Sequence, residues 1–543
     1  MLRTLLLLLP IATATAQGLL PPPPEPAGNP TTPQKALLGQ ALFWDEQLSS
    51  SRSVACGTCH VFQNGGADPR AATALHPGAD GLFGTDDDAH CSPGVRLHDS
   101  SGALVQSPDF GLAEQVTPRR APSPINAAYA VSLFLDGRAD GVFRDPLTQA
   151  VVLPAGGALE SQIAGPPVSQ VEMAHLGRTW AEVAQDLVGR TPLALATNVP
   201  PALQQFVAGR DYDALFAQVF GSPGITPVRI VFAIAAYERT LISDQSPFDR
   251  YLAGQGTLPP MAMAGLTGAF TTFCAPCHQD LDPAVLTTGP VLDDFRNIGV
   301  RPPGEDLGRG AITQQNADRG RFRVPGLRNV ALRAPYFHNG SQTSLQSVVD
   351  FYARGGDFAD NRDPLVDAIN GHIAIGDNLQ LQALLSTLTD PRVAAEQPPF
   401  DRPRLWSEGP LVPQNVGTGT GAPLATPPRS AALGPAFLGN QALGIGVDHV
   451  PAGQLAWLLF DAAGSAVPSQ LLGHELHLGL SPALIALPAG PAQPGPTGGY
   501  ASIVLQLPPL PGLAGTYWLQ WAVLDPTAPA GFASSDALAL PVF

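Results

Sequence analysis

A chain of 543 residues with 44% hydrophobic content is long enough for about two to four domains with buried cores, which excludes a disordered or fibrous polypeptide. Its formal net charge of −16 works against binding to nucleic acid or to anionic membrane surfaces and leaves basic proteins as charge-complementary partners. Four of the five cysteines fall in two motifs of the same construction, leaving only Cys91, so no intramolecular disulfide framework is available.

Met1 to Ala16 carries one Arg, the apolar run Leu5 to Leu9 and small residues at Ala12, Ala14 and Ala16, the pattern of a cleaved secretory signal. That run is too short to span a bilayer, and no later stretch offers the ~20 uninterrupted apolar residues of a membrane helix. The mature protein is therefore expected to be exported, periplasmic or otherwise outside the cytoplasm, and without a transmembrane segment. A Pro-rich leader, 17–33, precedes Gln34 to Phe43, whose apolar residues recur at helical spacing. Next comes Cys56-Gly57-Thr58-Cys59-His60, echoed at Cys274-Ala275-Pro276-Cys277-His278. Two thiols three positions apart followed at once by an imidazole are the attachment pattern of a c-type haem. Cys56, Cys59, Cys274 and Cys277 would form the thioether links, and His60 and His278 would be the proximal iron ligands. A redox dithiol or half of a zinc site needs no His directly after the second Cys in both copies. Two covalently bound c-type haems are expected.

From His60 to Arg120 the chain is rich in Gly, Pro, Asp and Ala and reads as a long irregular loop. Within it, Asp80 to Asp88 clusters hard oxygen ligands and is a candidate calcium loop. It lacks the EF-hand spacing, and a solvated acidic loop is the favoured reading. Helices are expected at Thr179 to Val188, Tyr212 to Phe220 and Pro227 to Ser243, making 34–245 a mostly helical domain around the first motif. A second unit, 246–395, holds the second motif and a helix from Leu345 to Tyr352 that stops at Gly355-Gly356. Residues 396–430 turn to Pro, Gly, Thr and Arg and read as a linker. In 431–543, short apolar runs at Ala456 to Phe460, Ile503 to Leu507 and Tyr517 to Trp521 alternate with Gly/Pro turns, as in a small antiparallel sandwich. It carries no metal-ligand or nucleophile cluster and reads as an accessory module. The expected fold is mainly α, with two cytochrome c-like haem domains followed by a small all-β, sandwich-like C-terminal module.

Several blocks in order resemble the bacterial di-haem cytochrome c peroxidases and their MauG-type relatives, over roughly Leu37 to Leu388. They are Leu38 to Phe43 before the first motif, Arg120-Ala121-Pro122-Ser123, Asp136-Gly137-Arg138, Tyr237 to Leu241, Ser246 to Tyr251, Phe322 to Val330 and Ala334 to Gly340. The resemblance implies that the N-terminal haem meets peroxide and the C-terminal haem relays electrons. Cleaving the O–O bond requires a proton to move between the peroxide oxygens, which calls for a carboxylate above the iron oriented by a neighbour. Glu172, ten residues after Gln162, matches the family's acid-base Glu and distal Gln. His76 stands where many members carry a distal His ligand, with His90 and His98 as competitors. The second haem's sixth ligand is typically Met in the peroxidases, and none of Met1, Met173, Met261 or Met263 falls there. Tyr352 does, as in MauG-type proteins, with His338 as its rival.

Other positions depart from the family pattern. Leu135 replaces the family's inter-haem Trp, Arg120 replaces an Asn of the inter-haem calcium site, and an insertion covers roughly Val142 to Ala158. Calcium at the inter-haem site is accordingly doubtful. Arg319 and Arg323 are candidate haem-propionate partners by bidentate geometry. The expected function is an exported di-haem peroxidase reducing hydrogen peroxide to water with electrons from a small cytochrome c or a cupredoxin. One alternative is a MauG-type enzyme oxidising residues of a partner protein through high-valent haem; another is a non-catalytic di-haem electron carrier. A homodimer is left open.

Overall fold

The computed structural model describes residues 20–279, 293–421 and 426–543. The expected signal, 1–16, lies outside the described residues, as does the start of the leader. Among the described residues no helix is long and apolar enough to cross a membrane.

The first core forms where two helices begin with the same device. Helix α1 (Pro33–Phe43) has Pro at its first turn and Thr32 accepting from the Lys35 amide. Much later in the chain, Pro227–Glu238 starts on Pro227, with Thr226 accepting from the Arg229 amide. In both, a side-chain oxygen takes up an N–H that the helix leaves without a partner. The two helices close on each other at Gly39, where an added Cβ would lie 1.9 Å from the Ala233 carbonyl oxygen. Leu38, Leu42, Phe43, Trp44, Ile230 and Ile234 are fully buried around that contact. Short helices at Trp180–Asp186, Pro201–Val207 and Tyr212–Phe220 complete the layer. The helix begun at Pro227 ends at Glu238 and does not reach Ser243. The Asn126 side chain takes over the Ser243 backbone there, accepting from its N–H at 2.8 Å and donating to its carbonyl at 3.0 Å.

The stretch from His60 to Arg120 is less irregular than its composition suggests. Strand β1 (Leu75–His76) pairs with β2 (Ala89–His90), and β3 (Pro93–Arg96) pairs with β4 (Glu114–Val116). The insertion forms a hairpin of β5 (Phe143–Arg144) and β6 (Val151–Leu153). In the second unit the chain runs from Pro247–Leu252 through Pro260–Gly265 into a π-helical stretch, Leu266–Cys274, that delivers the second motif. Strands β7 (Phe295–Arg296) and β8 (Phe322–Arg323) pair nearby. The helix Leu345–Ala353 is followed by Gly355 and Gly356 at φ 76° and 77°, a left-handed turn open to glycine. Phe248, Phe270, Val349, Leu384 and Leu388 form a separate core there.

Residues 396–430 are not a free linker. The Gln40 amide donates to the Asp401 carbonyl at 3.0 Å, and Glu46 accepts from the Trp406 and Ser407 amides at 2.6 and 3.0 Å. Thr197 and Arg404 exchange backbone bonds of 2.9 and 2.8 Å. The segment also contributes β9 (Gln414–Val416) and the start of β10 (Arg429–Ala432) to the C-terminal sheets. These continue with β11 (Leu443–Val450), β12 (Leu455–Asp461), β13 (Gly464–Leu471), β14 (His474–Leu478), β15 (Ile485–Pro491), β16 (Gly499–Leu505), β17 (Gly515–Leu524) and β18 (Phe532–Val542). A five-stranded antiparallel sheet, β15-β12-β17-β18-β9, faces a three-stranded one, β10-β11-β16, and β13-β14 form a hairpin beside them. Ile445, Val447, Leu458, Leu519, Trp521 and Leu538 fill the space between. Apolar core residues alternate along β17, from Leu519 through Trp521 to Val523, with the period-2 geometry of a strand.

Replacing Gly39 by Ala should destabilise the protein by about 1–3 kcal/mol, because the Ala233 backbone cannot yield to the added methyl. Urea unfolding measures this, and an unchanged midpoint would contradict the close approach.

Candidate functional site

The first motif forms a single turn, α2 (Cys56–Cys59), closed by the Ala55 amide donating to Thr58 Oγ1 at 2.8 Å. It sits flush on the core: a Cβ at Gly57 would lie 2.1 Å from the Trp44 indole, and that ring is held by Nε1 donating to Tyr237 Oη at 3.1 Å. His60 Nδ1 lies 3.3 Å from the Gly66 carbonyl. A carbonyl only accepts, so Nδ1 carries the hydrogen and Nε2 the lone pair. The second motif repeats this, with His278 Nδ1 3.2 Å from the Pro325 carbonyl. Each imidazole thus has the tautomer and outer hydrogen bond that a ligating His requires. Burial also lowers the His60 pKa, keeping the ring neutral.

The thiols of both motifs are raised in pKa by their surroundings. Burial, with smaller contributions from Glu238 and Glu172, pushes Cys56 to about 12. Burial likewise raises Cys59, and burial raises Cys274 to about 12 with the Cys277 charge adding to it. Among the described residues, no group of three or more His, Cys, Asp or Glu side chains is arranged to hold a metal ion. In the acidic loop the carboxylates cap the turn. Asp87 accepts from the Ala79 and Asp80 amides at 2.6 and 3.0 Å and from Thr85 Oγ1 at 2.7 Å, and Asp88 accepts from the Gly84 amide at 2.8 Å.

Beside the first motif stands Glu172. The short helix Ala158–Ile163, which carries Gln162, is anchored by the buried Glu160, whose carboxylate accepts from Arg239 and from Asn29, both at 2.8 Å. A tight turn through Pro166–Val168 leads on to Glu172, whose amide donates to the Ser169 carbonyl at 3.1 Å. Burial raises the Glu172 pKa, opposed by the Ser169 hydroxyl and by the charge of Arg138. Glu172 in turn raises both Cys56 and Cys59, so its carboxyl lies within electrostatic reach of the first thiol pair. Gln162 is half-buried on the same segment.

Two neighbours escaped sequence reasoning. The Arg138 guanidinium stacks 3.5 Å from the Phe134 ring centre and pairs with Asp136 at 2.8 Å. Phe134 lies beside Gly165, where an added Cβ would be 3.5 Å from the ring. The Asp136-Gly137-Arg138 block was visible in the sequence, but its approach to Glu172 is a tertiary contact.

Of the rival histidines, His98 stands apart. His98 is engaged at both nitrogens, Nε2 with Ser50 Oγ at 3.0 Å and Nδ1 with the Arg96 carbonyl at 2.7 Å, and burial lowers its pKa to about 4. It is a structural residue, not a competitor of His76. The His76 ring packs on Phe110 at 6.0 Å, and its charged neighbours are Asp109, Asp88 and Asp87. His76 Nδ1 and His90 Nδ1 are both buried without a hydrogen-bond partner.

At the second site, burial raises the Tyr352 phenol, and Cys274 and Cys277 add to the shift, which places that oxygen within reach of the second thiol pair. His338 is instead stacked on Phe322 at 3.8 Å, and burial lowers its pKa to about 4 against the opposing charge of Asp306. Arg323 is only 9% exposed and its Nε has no acceptor, while burial lowers its pKa to about 10 against the nearby charge of Asp293. A buried guanidinium in this state calls for an anion, and a haem propionate suits it. Arg319, by contrast, is exposed.

Between the two units, the Arg323 amide donates to the Leu135 carbonyl at 2.7 Å. Arg119 bridges Asp306, through two bonds of 2.6 Å, to Asp136 at 2.6 Å. Arg120 donates to the Arg333 carbonyl at 2.7 Å, and burial, with the Arg333 charge beside it, lowers its pKa to about 10. A cation-bearing side chain therefore occupies the place of the family's Asn.

The family described as di-haem cytochrome c peroxidase matches residues 33–257. The methylamine utilization protein MauG of Methylorubrum extorquens is 30% identical, over 62% of this chain and 72% of that protein. The cytochrome c peroxidase Ccp of Escherichia coli is 29% identical, over 62% of this chain and 56% of that protein, so the chain spans little more than half of that relative. A crystal structure of a MauG-like protein associated with microbial copper homeostasis shares the fold with a TM-score of 0.50 at 24% identity, covering 71% of this chain and 97% of the other.

Infrared difference spectra of the full chain, titrated from acid to neutral pH, should contain a protonated carboxyl that Glu172→Gln removes. Its midpoint should lie above the ordinary Glu value of 4.5, because burial disfavours the charged form. A midpoint at or below that value would contradict the placement.

Proposed function

This chain belongs to the di-haem cytochrome c peroxidase and MauG family, and from that premise we propose that it is an exported enzyme reducing hydrogen peroxide to water, with electrons from a small cytochrome c or a cupredoxin. Family membership implies c-type haems. Cys56, Cys59 and His60 would hold one; Cys274, Cys277 and His278 would hold the other, with Arg323 facing a propionate. Such haems supply the irons that accept electrons and meet peroxide, the first site serving peroxide and the second electron entry. The observation that carries the reading is Glu172: a carboxyl of raised pKa within reach of both Cys56 and Cys59.

The reduction consumes two electrons and two protons and yields two waters. In its ionised form Glu172 takes the proton from one peroxide oxygen and returns it to the other. Arg138 favours that ionised form by its charge. Gln162 offers a neutral amide on the same segment to orient peroxide.

A MauG-type reading, in which residues of a partner protein are oxidised, is favoured by Tyr352 beside Cys274 and Cys277. Against it, Leu135 supplies no aromatic ring at the inter-haem position. A non-catalytic carrier would leave the half-buried Glu172 without work.

Glu172→Gln should lower peroxide turnover with a reduced donor about 10²- to 10⁴-fold, and an unchanged rate would refute the acid-base role. Because burial raises the pKa, the ionised fraction grows only at higher pH. The acid limb of kcat/KM should therefore sit above the ordinary Glu range and vanish in Glu172→Gln. At the second site, Tyr352→Phe should alter the ferric absorption spectrum, and an identical spectrum would remove Tyr352 as a ligand.

A further inference from the structure

The segment that carries Glu172 is held from outside by a long excursion of the chain. Val95 in β3 donates to the Val171 carbonyl at 3.1 Å, and the buried Gln115 in β4 donates to the Gln170 carbonyl at 2.8 Å. Past Glu172, the Leu176 amide donates to the His98 carbonyl at 2.9 Å. At Gly94 the backbones touch: an added Cβ would be 2.0 Å from the Val171 carbonyl oxygen and 2.8 Å from Glu172 Cα. Residues 97–113, which join β3 to β4, leave the haem-bearing part of the chain and dock on the three-stranded C-terminal sheet. There Asp448, 4% exposed, accepts from the Leu112 amide at 2.7 Å, from Thr497 Oγ1 at 3.2 Å and from Gln106 Nε2. Leu104 donates to Ser502 Oγ at 2.9 Å, and Leu104 and Leu112 are buried against Leu433 and Tyr500.

We propose that the C-terminal sheets are part of the catalytic scaffold, and that Asp448 is a positioning residue that fixes the Gln170–Leu176 segment, and with it Glu172, through the excursion 97–113. The excursion has only the isolated bridges His98–Leu104 and Ser107–Gly111 of its own, and a segment with so little regular structure holds a neighbour more rigidly when its far end is tied down. Here the far end is tied to a buried carboxylate that collects several donors. The proposal rests on the role given to Glu172 above, but the coupling itself can be read without it.

The test uses the full-length holoprotein. In Asp448→Ala, the amides of Val95 and Leu176 should exchange hydrogen about tenfold faster, read by mass spectrometry of peptides spanning 92–98 and 170–178. Under the same conditions kcat/KM for hydrogen peroxide should fall about 10- to 100-fold. Asp448→Asn, which keeps one acceptor, should recover part of the loss. In a Glu172→Gln background, Asp448→Ala should cause no further loss, since both act through one group. Unchanged exchange at Val95 and Leu176 overturns the proposal, and so does full turnover despite faster exchange, or an additive loss in the double variant. If Glu172→Gln itself leaves turnover intact, the role of Glu172 fails, and the exchange measurement still decides the coupling. Ser502→Ala removes only the partner of the Leu104 amide and should give the same exchange pattern in milder form, which keeps the test decisive if Asp448→Ala does not accumulate.

Discussion

The contact on which the rest of the structure depends is the backbone approach of β3 to Val171 and Glu172, with room at Gly94 for a hydrogen and nothing larger. A carboxyl taken out of water must be held by its surroundings, because the charged form otherwise draws the segment back to solvent. Three hydrogen bonds, from Val95, Gln115 and Leu176, fix the segment on either side of Glu172. Arg138 supplies an opposing charge. The result is a titratable group of raised pKa within electrostatic reach of Cys56 and Cys59.

The two motifs are alike locally and unequal in their surroundings. Both histidines direct Nδ1 to a backbone carbonyl, so both present the same nitrogen. Near the first lie a carboxyl and a guanidinium stacked on a ring; among the described residues near the second lie a phenol and the buried Arg323. An acid-base group suits a site where protons move, whereas a hard oxygen donor suits one where an oxidised iron is stabilised. The Arg119 bridge from Asp306 to Asp136 and the bond from Arg323 to Leu135 join the two environments with short connections.

Much of this was readable from the sequence wherever local rules decide. The helix start at Pro227 coincides with the expected one, where Pro and Thr serve the first turn, and the stop after Ala353 follows from paired glycines, whereas Pro33, read as the end of the leader, is the first residue of α1. The helix end at Glu238 was not readable, because Asn126 captures Ser243 from 117 positions away. The stretch 396–430 has the composition of a linker, yet it is tied down by Glu46 across 360 positions. At the site, the spacing of Gln162 and Glu172 and both haem motifs are sequence features. The exclusion of His98 depended on Ser50, the exposure of Arg319 on the local surface, and the closeness of Arg138 to Glu172 on tertiary packing. Asp448 has no signal in the sequence at all, since its partners Leu112 and Gln106 lie 336 and 342 positions away.

If the two sites divide the work as their surroundings indicate, a small exogenous ligand should distinguish them. The most direct measurement is low-temperature electron paramagnetic resonance of the ferric full-length protein with and without cyanide. The signal belonging to the first motif is identified as the one missing from a Cys56→Ala, Cys59→Ala chain. A shift confined to that signal is the predicted result. A shift confined to the signal of the second motif, or equal shifts in both, would contradict the assignment of peroxide to the site beside Glu172.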